Sequence, residues 1–91
     1  MKSVRTQKFR ALFLNLPQRI QATAKKNYKL WQENPFHPSL EFKEVKPKEK
    51  IWLVRVGIGW RALGIFNSSN EKIIWFWIGT HAEYDQFLDK K

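Results

Sequence analysis

Phe9, Leu12, Phe13 and Leu16 recur at i, i+3, i+4 and i+7, the spacing of one helix face, and Thr6 stands where an N-cap belongs. Pro17 interrupts that pattern and suits the first position of a second helix. Ile20, Ala24, Tyr28 and Trp31 form its apolar stripe, with Arg19, Lys25, Lys26 and Lys29 largely away from it. Asn34-Pro35 ends this helix, and His37-Pro38 keeps the chain extended. The two helices, joined around Leu16-Pro17, are expected to make an antiparallel hairpin. Ser3 to Thr6 reads as a short edge strand or an arm.

After Pro38 the period changes to two. Leu40, Phe42 and Val45 mark a first strand, followed by a basic link from Lys46 to Lys50. Ile51 to Val56 is a second strand, Gly57 to Gly59 a tight turn, and Trp60 to Phe66 a third strand. Asn67 to Lys72 is a polar turn. Ile73 to Ile78 is apolar on both faces and is expected to be central in the sheet. A short helix, Ala82 to Leu88, follows Gly79. The pattern predicts one α+β domain, residues 1–91, with a helical hairpin packed on a mostly antiparallel four-stranded sheet and a short C-terminal helix.

Composition narrows the function classes. A hydrophobic content of 43% with five Trp argues for a real core rather than disorder. With no cysteine, disulfides and thiolate metal sites are excluded. His37 and His81 are the only histidines and lie in different contexts, so neither a metal nor a cofactor is expected. The longest apolar run, Ile73 to Ile78, falls far short of the ~20 residues of a spanning helix. Ala11 to Leu14 is too short for a signal peptide, which points to a cytoplasmic protein without a membrane partner. Seventeen Lys and Arg against eight Asp and Glu give +9, a field that concentrates polyanions.

Two arginines break the apolar strands. Arg55 and Arg61 have no packing reason to be there, and a phosphate held over the sheet supplies one. Arg55 can alternatively be an edge charge reaching water. His81, Glu83, Tyr84 and Asp85 follow the last strand. An imidazole carries protons in either direction near neutral pH, and a carboxylate or phenol beside it can orient or replace it. The plainer roles are a helix N-cap for His81, first-turn electrostatics for Glu83, and packing or base stacking for Tyr84. Lys43, Lys46, Lys48 and Lys50 make either a patch tracking an RNA backbone or a solvated linker. His37 is expected to fix the helix-to-strand turn, and Trp31, Trp75 and Trp77 to serve the core or an interface.

This order of elements, with those residues, resembles the RelE/ParE superfamily of type II toxin–antitoxin toxins. The likeness runs from about Phe9 to Leu88 and rests on KNYKLWQENPFHPSLEFKEV, IWLVRVGIGWRALG and WFWIGTHAEYD. The middle segment looks like the family's arginine-bearing strand, glycine turn, and aromatic followed by arginine. The last looks like a subgroup in which Gly-x-His-x-Glu-Tyr closes the sheet. The resemblance implies one of two activities. RelE-like members cut mRNA in the ribosomal 30S A site, whereas ParE-like members inhibit DNA gyrase without nuclease chemistry. Both are neutralised by an antitoxin that wraps the toxin, here expected to be acidic.

On the nuclease reading, cleavage through the RNA 2′-hydroxyl needs a group to deprotonate it, a group to neutralise the phosphorane, and a group to protonate the leaving oxygen. The expected set is Arg55, Arg61, His81, Glu83 and Tyr84, with Lys43, Lys46, Lys48 and Lys50 on the RNA and no metal. Trp52 and Val54 stand where some relatives carry lysines, which moves the weight from a lysine mechanism to His81 and Glu83.

Overall fold

Residues 1–89, which the computed structural model describes, begin with strand β1 (Lys2–Arg5) and helices α1 (Gln7–Leu14) and α2 (Gln18–Glu33). Strands β2 (Lys43–Lys46), β3 (Ile51–Gly57), β4 (Trp60–Asn67) and β5 (Lys72–Thr80) follow, and α3 (His81–Asp89) comes last. Short 3-10 turns span Pro38–Leu40 and Pro47–Glu49.

The sheet has five strands in the order β1-β5-β4-β3-β2, one more than the sequence pattern predicts. The added strand is the N-terminal segment, which pairs parallel to β5 along Lys2–Lys72 to Arg5–Trp75 and makes the sheet mixed. The other three pairings are antiparallel. β5 is an inner strand, as its two apolar faces suggest, but β4 is the middle one. Leu40, placed by the pattern in the first strand, instead closes a 3-10 turn and is fully buried. His37 caps that turn, its Nδ1 accepting the Ser39 backbone N–H at 3.2 Å.

The expected helices form, and Thr6 Oγ1 caps α1 by accepting the Phe9 N–H at 3.1 Å. Pro17 sits one place earlier than expected, as the N-cap of α2. The hairpin is the larger correction. α1 rests mainly on β5 and α2 on β3, and their contacts go to the sheet rather than to each other. With Leu16-Pro17 as the joint, each helix buries its own stripe on a different strand.

Two cores lie on opposite faces. Toward α1 and α2, Trp31, Leu40, Phe42, Val54, Val56 and Ala62 belong to a large cluster that also takes in Ile73, Trp75 and Ile78. Aromatic edges organise it: Trp31 meets Phe42 at 5.7 Å and Trp75 at 5.4 Å between ring centroids, both edge-on, an arrangement favoured by ring quadrupoles. Toward α3, among the described residues, Ile51, Leu53, Leu63 and Tyr84 form a smaller buried cluster. Among the described residues no helix is long and apolar enough to cross a membrane.

Candidate functional site

Strand alternation decides which face carries the candidate site residues. Val54, Val56 and Ala62 point into the large core, while Leu53 and Leu63 belong to the α3-side cluster. Arg55 and Arg61, one residue out of phase with the first set, therefore stand on the α3 side. The register places them directly opposite each other on β3 and β4. Two like charges in that position repel unless something intervenes. For Arg55 the partner is Glu41, whose carboxylate accepts from Nη1 at 3.0 Å. Glu41 reaches it from a left-handed backbone (φ 46) at the end of the first 3-10 turn. For Arg61 the acceptors are the turn carbonyls of Trp60 at 2.9 Å and Gly57 at 3.4 Å.

The turn between β3 and β4 also fixes the start of α3. Gly59, with φ 80, takes a conformation that side chains resist, and its carbonyl accepts the His81 N–H at 2.7 Å. Thr80 and Glu83 complete a reciprocal capping box. The Thr80 hydroxyl accepts the Glu83 N–H at 3.1 Å, and the Glu83 carboxylate accepts the Thr80 N–H and O–H at 2.9 Å each. A Cβ on Gly79 would come within 2.5 Å of the Trp77 ring and 2.9 Å of Glu83 Oε1, so only glycine lets the strand run into this helix.

His81 and Tyr84 project from the first turn of α3 with ring centroids 6.2 Å apart. The imidazole Nε2 lies 3.5 Å from an oxygen of Asp85, both side chains being exposed. Tyr84 is buried, and its phenol is pushed above the ordinary tyrosine value first by burial and then by Asp85, against the opposing pull of Arg61. It is therefore a proton donor at neutral pH, not a phenolate. The assembled groups can hold an anion between two guanidinium ions, accept a proton at the imidazole and donate one from the phenol.

The sequence-predicted residues thus separate into two groups. Arg55, Arg61, His81, Glu83 and Tyr84 gather at the tip of the β3–β4 hairpin and the start of α3. Glu83 has its carboxylate engaged by Thr80, so it holds the helix start that presents His81 and Tyr84. Lys43 pairs in register with Leu53, one alternation from Arg55 on the same face. Lys46 lies farther along, its ammonium 4.7 Å over the Phe87 ring. Lys48 and Lys50 are exposed around the second 3-10 turn, and Lys50 is roughly 16 Å along the strand from Arg55 at ~3.3 Å per residue. Trp52 and Val54 face the other side, packed toward α2, so lysines there would not reach this cluster.

Sequence reading missed Glu41 and Thr80. Thr80 was readable, because Thr-x-x-Glu ahead of an apolar stretch is a capping-box signature. Glu41 had no local signal, since its partner is fourteen residues away across a strand pairing.

No protein-family model matches the sequence, and no curated protein matches it either. Solved structures do match. A chain of the RelB–RelE antitoxin–toxin complex from Methanococcus jannaschii superposes with a TM-score of 0.71 at 16% identity, over 92% of this chain and 96% of that one. Its fold is that of the RelE/ParE toxins. A chain of the RelBE2 toxin–antitoxin complex from Mycobacterium tuberculosis gives 0.69 at 16% identity, covering 88% and 96%. The YoeB/ParE toxin from Agrobacterium tumefaciens gives 0.67 at 15%, covering 89% and 99%. The RelE/ParE fold is thus recovered over nearly the full length at identities where sequence alone is faint.

Proposed function

We propose that this chain is the toxin of a toxin–antitoxin pair, a ribosome-dependent endoribonuclease that cuts mRNA through the RNA 2′-hydroxyl. The observation that carries this reading is the register of Arg55 opposite Arg61, with His81 and Tyr84 presented at the same end of the sheet. In the step, the His81 imidazole takes the 2′-hydroxyl proton while Asp85 orients the ring. The 2′-oxygen attacks phosphorus, the two arginines bear the charge on the non-bridging oxygens, and the 5′-oxygen leaves with the proton of Tyr84. The products are a 2′,3′-cyclic phosphate and a 5′-hydroxyl end. Glu83 acts through the capping box as a positioning residue. The lysines from Lys43 to Lys50 follow the message and ribosomal RNA backbone, which makes binding salt-dependent.

The neighbours named as antitoxin–toxin complexes support an antitoxin partner. For a +9 chain that partner is acidic and folds on contact. One observation favours the second reading, a ParE-like gyrase inhibitor: the Glu83 carboxylate is committed to the helix cap, leaving fewer free groups for proton transfer. Growth arrest by the parent and by a folded His81→Ala/Glu83→Gln protein separates the two. A nuclease loses translation-coupled message cleavage and toxicity together, the His81 proton-transfer group alone contributing about 10²–10⁴-fold. Equal toxicity from both proteins, with supercoiling inhibited and messages intact, would establish the gyrase inhibitor.

A further inference from the structure

The sheet face covered by α1 and α2 carries a cavity that shares only Arg55, at its border, with the reaction above. Because α1 and α2 rest on different strands, a cleft of about 90 Å³ opens between them over the sheet. Phe9 and Phe13 of α1 and Trp31 of α2 form its walls, and Ala62, Trp75 and Ile78 its floor. Two of its neutral polar side chains are engaged, while the indole N–H groups of Trp31 and Trp75 are buried without a partner. The Asn27 amide donates to the Val56 carbonyl, and the Tyr28 hydroxyl is bonded to Ser3.

The charged groups at the cleft are all cations. Arg55 borders it but is paired with Glu41. Arg5 and Lys25 remain, with Arg5 held 5.6 Å over the Tyr28 ring, and among the described residues no acidic side chain lines the cleft. Aromatic walls reward a ring, and a confined apolar space of this order accepts a single one. Cations at the lining reward a carboxylate. A bare hydrocarbon leaves the cations unused, and an inorganic anion leaves the walls unused.

We propose that the cleft between α1 and α2 binds a small aromatic carboxylate, with its ring between Phe9, Phe13 and Trp31 and its carboxylate on Arg5 and Lys25. This site is independent of the nuclease reading and stands whether or not RNA is cut. Benzoate titrated into the full chain, followed by the Trp31 and Trp75 indole N–H resonances, gives saturable shifts. Lys25→Gln, a change on the exposed side of α2, weakens binding by about fivefold or more, the scale of one charge-assisted hydrogen bond. Benzyl alcohol, the same ring without the charge, is weakened alike. Ala24→Leu, which fills the cleft, abolishes the shifts. The proposal is overturned if benzoate causes no saturable shift by about 10 mM, a concentration that reveals even millimolar affinity. It is equally overturned if benzyl alcohol binds as tightly as benzoate, which would make an apolar side chain of a partner protein the occupant.

Discussion

The two faces of the sheet are built from the same strands and do opposite work. Along β3 and β4, Trp52, Val54, Val56 and Ala62 go to the side covered by α1 and α2. Leu53, Arg55, Arg61 and Leu63 go to the side covered by α3 alone. The helical side is closed by two helices and carries most of the buried area. On the α3 side four of the described residues are buried together, and Arg55 and Arg61 stand opposite each other in register. On the proposed function, stability and chemistry are therefore divided by residue parity within one hairpin. A site can stay open and highly charged here because the opposite face supplies the burial.

The strongest test of that division is on the closed side. Trp31 is 1% exposed and its rings meet Tyr28, Phe42 and Trp75, so Trp31→Ala costs about 3–5 kcal/mol. Against the ~5–15 kcal/mol of a whole domain, such a loss lowers the thermal midpoint by tens of degrees or abolishes cooperative unfolding. Arg61→Ala is the counterpart on the open side. Message cleavage falls by at least ~10²-fold, the scale of losing one donor to a developing oxyanion, while the unfolding midpoint stays within a few degrees of the parent. A midpoint loss matching that of Trp31→Ala would show that the faces are not separable. Arg55→Ala follows in the same direction with a smaller loss.

Glu41→Gln sharpens the comparison by raising a binding activity. Without its carboxylate, Arg55 is released to an RNA phosphate, and single-stranded RNA binds up to about fivefold tighter by fluorescence anisotropy at fixed salt, the value of an exposed ion pair. Weaker binding would mean that Glu41 orients Arg55 rather than competing for it.

Tyr84 gives the smallest effect. Its phenol is raised by burial and Asp85 against Arg61, so the folded state holds the proton to higher pH than the unfolded chain. The resulting stabilisation is complete below about pH 10, the unfolded tyrosine value, and is lost as pH rises through the folded value. Urea midpoints measured from pH 9 to 11 fall for the parent and fall less for Tyr84→Phe. Parallel curves would remove Tyr84 from the alkaline limb.

Both major helices and the three C-terminal strands were legible because each carries its own apolar period and its own breakers. The fifth strand was legible only as one of two alternatives, an edge strand or an arm. Ser3 and Val4 look like an arm in isolation, and only pairing with Ile73 and Ile74 makes them a strand. The hairpin reading failed for a related reason: an apolar stripe says that a helix is buried, not whether a neighbouring helix or a sheet buries it. For the site, the two arginines showed themselves as charges among apolar neighbours. Their opposition across the hairpin follows from the short Gly57–Gly59 turn. Glu83 was read as a chemical group or as a first-turn charge, and without Thr80 the sequence reading could not choose the cap. The dense lysines from Lys43 to Lys50 concealed that they extend away from the arginines along the sheet.

The parallel pairing of β1 with β5 has a consequence in time. Its partners lie about seventy positions apart, so the first strand made must wait for the last. At ~5–20 residues per second that delay is roughly 4–14 s of synthesis. Throughout it, α1 and α2 exist as nascent chain before all the strands they rest on have been made, with Phe9, Phe13 and Trp31 short of their aromatic partners. His81 reaches the hairpin that carries Arg55 and Arg61 only after β5 has emerged and brought its N–H to the Gly59 carbonyl. Translation therefore delivers the apolar helices first and the assembled anion site last, and a protein that captures the emerging helices acts before there is any site to neutralise.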